Sequence, residues 1–111
     1  MVATTEDQDE LILENTTTLK VARWWNRACD IIPCNGGKDI GIQKILDYFN
    51  FNKEEAMAFG DGGNDISMLK YVGTGVAMGN AKDNVKAIAD YITDSVQEDG
   101  IVSALKHFEI L

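Results

Sequence analysis

Three short apolar runs constrain this chain most: Ala56-Met57-Ala58-Phe59, Gly75-Val76-Ala77-Met78 and Tyr91-Ile92-Thr93. Each is too short for a helix, and each is followed by a stretch with helical spacing. Before the first run, Ile40, Ile42, Ile45, Leu46 and Phe49 fall largely on one helical face, with Lys38 at its start. Between the runs lie Asp65 to Tyr71, with Ile66, Met68 and Leu69 apolar, and Ala81 to Ala89, with Val85 and Ile88 turned inward. A closing helix is expected over Ile101 to Phe108. Strands alternating with helices of about ten residues predict an α/β fold around a parallel sheet. Such sheets bind ligands beyond the carboxyl ends of their strands. The loops after Phe59, Met78 and Thr93 are therefore where a site is expected.

The first third reads differently. Thr5 with Gln8 three positions on is a capping-box signature, and Leu11, Ile12 and Leu13 give a short helix ending by Asn15. Thr16 to Trp25 is β-branched and aromatic, which predicts a strand. Asn26-Arg27 turns the chain into a second strand from Cys29 to Pro33. Adjacent strand residues face opposite ways, so one of Trp24 and Trp25 is expected buried and the other exposed or at an interface; a sugar-stacking platform is the other reading. Pro33 and the pair Gly36-Gly37 then break the pattern before the α/β portion begins.

Charge and cysteine usage remove several classes of function. With 111 residues and a net charge of −8, the chain lacks the clustered Lys and Arg that nucleic-acid binding needs. No apolar run approaches the ~20 residues that cross a bilayer, and the opening Met1-Val2-Ala3-Thr4 starts no signal peptide. A cytoplasmic protein is expected, with carboxylates suited to a hard cation. Cys29 and Cys34 are too few for a disulfide scaffold, and five residues apart they do not match a zinc or redox motif; half-buried reduced thiols are expected.

The loop after Phe59 carries the chemistry. Gly60-Asp61-Gly62-Gly63-Asn64-Asp65 projects two carboxylates and an amide from a backbone that can approach a ligand closely, and a helix follows directly. Two readings stand at this point: an Asx-rich turn with Asn64 or Asp65 capping the helix, or a ligand loop in the crevice. An EF-hand fails, because Ile66 and Val72 occupy the positions that need Gly and Glu. Gly73-Thr74-Gly75 followed by Gly79 fails the dinucleotide spacing. A carboxylate at the end of a central strand suits Mg²⁺, which takes one or two protein carboxylates and leaves its other positions to water and phosphate. Lys38 could supply positive charge for phosphoryl transfer, or be an ordinary solvated lysine.

Phe59-Gly60-Asp61-Gly62-Gly63-Asn64-Asp65-Ile66-Ser67-Met68-Leu69 and then Gly75-Val76-Ala77-Met78-Gly79-Asn80-Ala81 resemble the C-terminal half of the Cof-type haloacid-dehalogenase-like (HAD) phosphatases. Ala89-Asp90-Tyr91-Ile92-Thr93 and Glu98-Asp99-Gly100-Ile101 extend the resemblance in order. Upstream, Arg23-Trp24 with Asp30-Ile31-Ile32-Pro33 and Gly37-Lys38 resemble the end of that family's inserted cap and its return to the core. The resemblance implies the C-terminal half of a three-layer parallel-sheet HAD-like core over residues 34–111, preceded by an α-β-β remnant of a cap over 1–33. It implies Asp61 and Asp65 at a Mg²⁺ site, with Asp65 completing or orienting the loop. It further implies Asn64 against phosphate, and Lys38 as the catalytic lysine that steadies the nucleophile and the phosphoryl group. Asn80 and Ala81 shape the next loop and carry no catalytic assignment. The activity implied is hydrolysis of phosphomonoesters, commonly of sugars, through an aspartyl phosphate.

That family's nucleophile sits in a DxDGT-type motif absent from these residues. Asp7-Gln8-Asp9-Glu10 has the spacing of two aspartates without the preceding apolar strand or the following Gly-Thr. The chain is therefore expected to be the last part of a longer enzyme, inactive alone, and to self-associate or pair with an N-terminal segment, because its first core strand lacks a neighbour. The competing expectation is a non-catalytic relic that acts by association.

Overall fold

The computed structural model describes residues 1–111. A 3₁₀ turn at Glu6–Gln8 leads into helix α1, Asp9–Leu13; the Thr5 backbone N–H donates to Gln8 Oε1 at 2.9 Å, as the capping signature requires. Strands β1, Leu19–Trp25, and β2, Ala28–Pro33, pair antiparallel, with Leu19 opposite Pro33 and Ala22 opposite Asp30. The first strand begins three residues later than expected. Thr16 Oγ1 accepts from the Thr18 backbone at 3.3 Å, a local turn that takes Thr16-Thr17-Thr18 out of extended pairing despite their β-branching. Arg23 ties α1 to the hairpin: its guanidinium pairs with Asp9 and donates to the carbonyls of Thr4 and Thr5.

Helix α2, Lys38–Phe49, follows Gly37. It ends at Asn50, whose left-handed backbone (φ 58°) lets the Phe51 N–H reach back to the Leu46 carbonyl. Then come β3, Met57–Gly60, α3, Ile66–Tyr71, β4, Thr74–Ala77, α4, Asp83–Lys86, β5, Tyr91–Ile92, and α5, Gly100–His107. The three strands form one parallel sheet in the order β3-β4-β5, so β3 is an edge strand in this chain. The α/β architecture thus follows the alternation of apolar runs and helical periodicity. One helix is shorter than expected: α4 covers four residues where Ala81 to Ala89 was predicted helical. Ala81 instead closes a turn with its N–H on the Met78 carbonyl, and Ile88 and Ala89 donate only to carbonyls three residues back.

The core is thin for this length, with sixteen residues buried. Its centre is Ala58, Leu69, Val72, Ala77, Ala81 and Val85, where α3 and α4 cover the sheet. Burying Leu69 or Val85 contributes about 1.5–3 kcal/mol each. Helix α2 contributes little to this core. Ile42 packs against it, but Ile45, Tyr48 and Phe49 are mostly exposed. Both tryptophans are also exposed, which corrects the one-in, one-out expectation: a bulge between Arg23 and Trp25 breaks the alternation at the hairpin's end. The two thiols are likewise unequal, Cys29 fully buried and Cys34 exposed, and both are free. No helix is long and apolar enough to cross a membrane.

Candidate active site

The strand β3 ends at Gly60, and the chain then makes a 3₁₀ turn at Gly63–Asp65 before α3. Asp65 organises this turn. It is buried, and its Oδ2 accepts from the backbone N–H of Asp61 at 3.0 Å and of Gly62 at 3.1 Å. Its Oδ1 pairs with Lys38 Nζ. A Cβ on Gly60 would come within 2.6 Å of the Asp65 Cβ, so the tuck of this carboxylate under the loop requires glycine there. Burial alone would raise the pKa of Asp65. The bond from Lys38, the two backbone donors and the lysine's charge outweigh it, and hold the carboxyl below its ordinary value of 3.8.

The other side chains are left open by this arrangement. Asp61 is exposed, its carboxylate hydrogen-bonded by Asn80 Nδ2 at 3.4 Å, while Asn80 Oδ1 accepts from Val96 N–H at 3.0 Å. Asn80 thereby bridges all three loops at the carboxyl ends of the strands, a contact the sequence does not announce. Lys38 keeps about half its side chain exposed although Asp65 anchors it. Lys38, Asp61, Asn64 and Asp65 line one open cleft of about 520 Å³, so the four residues singled out in the sequence converge. Trp24 and Asp30 of the hairpin line it too. Nothing in the loop's composition signals those two; only tertiary docking brings them in.

Docking depends on close approach at Gly63. A Cβ there would lie 2.7 Å from the Arg23 carbonyl oxygen, so β1 rests directly on the turn. A second cleft of about 390 Å³ opens on the other side of Lys38, Asp61 and Asp65, walled by Phe59, Met78 and Ile101.

The donors suit a hard cation in part. They are oxygens, and Asp61 offers a carboxylate without a strong internal partner. Asp65 has both oxygens engaged, and no group of three His, Cys, Asp or Glu side chains converges anywhere in the chain. Such a set can supply one protein ligand to Mg²⁺ and leave the other positions to water, phosphate or further protein.

Residues 2–105 match the model of the haloacid dehalogenase-like hydrolases. The chain is 42% identical over 106 residues to the putative phosphatase YkrA of Bacillus subtilis, covering 96% of this chain and 41% of that protein. It is 44% identical over 92 residues to an uncharacterized protein in the pdhA 5′ region of Geobacillus stearothermophilus, covering 83% of this chain and 97% of that one. Among solved structures, the HAD subclass IIB sugar phosphatase BT4131 superposes with a TM-score of 0.91 at 45% identity, over 98% of this chain and 42% of that one. The chain thus spans about two fifths of the length of YkrA and BT4131.

Proposed function

The chain belongs to the haloacid dehalogenase-like hydrolase family, and on that premise we propose that it supplies the lysine and the acidic loop of a Mg²⁺-dependent phosphomonoester hydrolase. The reading rests on one observation: Lys38 is anchored by the buried Asp65 beside the open carboxylate of Asp61, in a cleft at the carboxyl ends of the strands. In it, residues 1–33 are the remnant of the cap and 34–111 the second half of the core. Sugar phosphates are the proposed substrate class, in line with the sugar phosphatase BT4131.

Each residue has a task that its surroundings support. Asp65 does not need to touch substrate. It fixes the Asp61 and Gly62 backbone and holds the Lys38 ammonium over the cleft, so the charge is in place before phosphate arrives. Lys38 donates to a phosphoryl oxygen and offsets its charge. Asn64 donates a second hydrogen bond. Asp61 is the carboxylate that would hold Mg²⁺, with Asp65 as its orienting neighbour; the ion, when bound, supplies further positive charge to the transferring group.

These residues offer no nucleophile of the DxDGT type. In this reading the nucleophile is supplied by polypeptide outside the 111 residues, and the cleft walled by Phe59, Met78 and Ile101 beside Asp61 is the proposed place for it. The isolated chain should therefore show no turnover of p-nitrophenyl phosphate with Mg²⁺. It should still bind inorganic phosphate weakly, read as broadening of the phosphate ³¹P line. Lys38→Ala should weaken that binding by about 10-fold or more, the loss of a charge-assisted hydrogen bond. Binding that ignores Lys38→Ala, or turnover abolished by Asp61→Ala in the isolated chain, would contradict the reading.

A further inference from the structure

Helix α2 carries Lys38 in its first turn, the part of a helix that opens most readily, and little holds that turn in place. None of its twelve residues is buried. Its N-cap is Gly37, which offers no side-chain acceptor to the first free N–H groups. The backbone hydrogen bond that closes the turn runs from the Gly41 N–H to the Gly37 carbonyl at 3.1 Å. Besides the bond from Lys38 to Asp65, α2 makes one side-chain hydrogen bond: Asp39 Oδ1 accepts from the Ser67 hydroxyl at 3.2 Å. A Cβ at Gly37 would lie 2.8 Å from that same Oδ1, so the carboxylate folds back against the helix start, into space a side chain there would contest. Consecutive residues of α2 are thus tied to the acidic turn and to the helix after it, Lys38 to Asp65 and Asp39 to Ser67.

We propose that the Asp39–Ser67 hydrogen bond is a clamp that positions Lys38: it keeps the first turn of α2 closed, so that the ammonium reaches Asp65 and the cleft from a fixed backbone. The inference rests on the proposed phosphoryl site and adds to it two positioning residues that act through the lysine. Lys38 meets Asp65 at the end of a flexible four-carbon stem, so that ion pair alone tolerates many positions of the helix start. A carboxylate one residue further on, bonded to a short hydroxyl side chain, tolerates few, and a hydrogen bond to an ionised acceptor is stronger than a neutral one. Asp39 also has the charge that a helix N-terminus favours, which helps keep the turn closed. With the clamp made, the ammonium has less freedom to lose when phosphate arrives, and binding gains accordingly. Ser67 also lines a cleft of about 590 Å³ beside Lys38 and Asn64, so direct contact with the ligand is the alternative to be separated.

The test uses the 111-residue chain and inorganic phosphate, with binding read from ³¹P line broadening and opening of the turn from amide hydrogen exchange. Ser67→Ala should speed exchange at Gly41 about tenfold while leaving the amides of β4 unchanged, and should weaken phosphate binding about threefold. Ser67→Thr, which keeps a hydroxyl, should restore both. In a Lys38→Ala background the residual phosphate binding should be indifferent to Ser67→Ala, because the clamp acts only through the lysine. In an Asp39→Ala background Ser67→Ala should likewise change nothing further. A loss of affinity that persists without Asp39 would make Ser67 a direct ligand contact and overturn the clamp. So would unchanged Gly41 exchange or unchanged affinity in Ser67→Ala, or a uniform rise in exchange throughout the chain. Each of those results leaves the phosphoryl site standing so long as Lys38→Ala weakens binding. If phosphate binding ignores Lys38→Ala, the phosphoryl reading falls and the clamp falls with it.

Discussion

Asp65 does more for this site than its exposure to ligand would suggest. Its two oxygens take three donors, two from the backbone of the acidic loop and one from Lys38. Because those donors depress its pKa below that of the unfolded chain, the stability they bring is fully present above about pH 4 and is lost as the pH falls through the folded value. Asp65→Asn should cost about 1–3 kcal/mol at pH 7, the penalty for weakening a buried acceptor and its ion pair. Urea unfolding at pH 7 and pH 3 checks the sign: the gap between wild type and variant should shrink at pH 3, and an equal gap at both would contradict the assignment. At this scale the sequence was informative about identity and mute about partnership. Asp61, Asn64, Asp65 and Lys38 could be singled out from the glycine-framed loop and the family pattern. That Asp65 points inward to hold Lys38, across 27 positions, is a tertiary fact with no local signal. The two tryptophans mark the reverse failure, since strand alternation predicted one buried and the bulge at Arg23/Trp25 left both exposed.

Among the elements, the hairpin depends on the core for its place, and the contact is backbone to backbone. The Arg23 carbonyl meets Gly63 closely enough that any side chain there collides with it. Gly63→Val should therefore push β1 off the turn, weaken the Trp24 and Asp30 wall, and destabilise the chain by roughly 1–3 kcal/mol, as overpacking does. Hydrogen exchange gives the discriminating readout. Amides in β1 and β2 should lose protection more than those in β4, whereas a uniform loss would mean that Gly63 matters only for general stability. Strand and helix types were legible because apolar runs bounded by glycine alternate with helical periodicity. Their limits were less so. Thr16-Thr17-Thr18 has the composition of a strand, but Thr16 satisfies the Thr18 N–H locally. Ala81 to Ala89 has helix-forming residues, yet only Asp83–Lys86 is α-helical, the flanks tightening into turns that serve the loop after β4 and the start of β5.

Taken whole, the molecule leaves both a strand edge and a set of large apolar side chains uncovered. The edge of β3 is open, and Ile45, Tyr48, Phe49 and Phe51 expose apolar surface on and just after α2. We expect the isolated chain to self-associate, with a light-scattering mass that rises with concentration; a monodisperse monomer across that range would contradict this. The most direct test fuses this chain, in place of the corresponding two fifths of BT4131, behind the remainder of that sugar phosphatase and measures p-nitrophenyl phosphate hydrolysis with Mg²⁺. If Lys38 and the Asp61 loop form half of a phosphoryl-transfer site, the fusion turns over, and Lys38→Ala or Asp61→Ala each lowers kcat by about 10²–10³. A folded fusion that is inactive, or active but indifferent to both substitutions, would contradict the account.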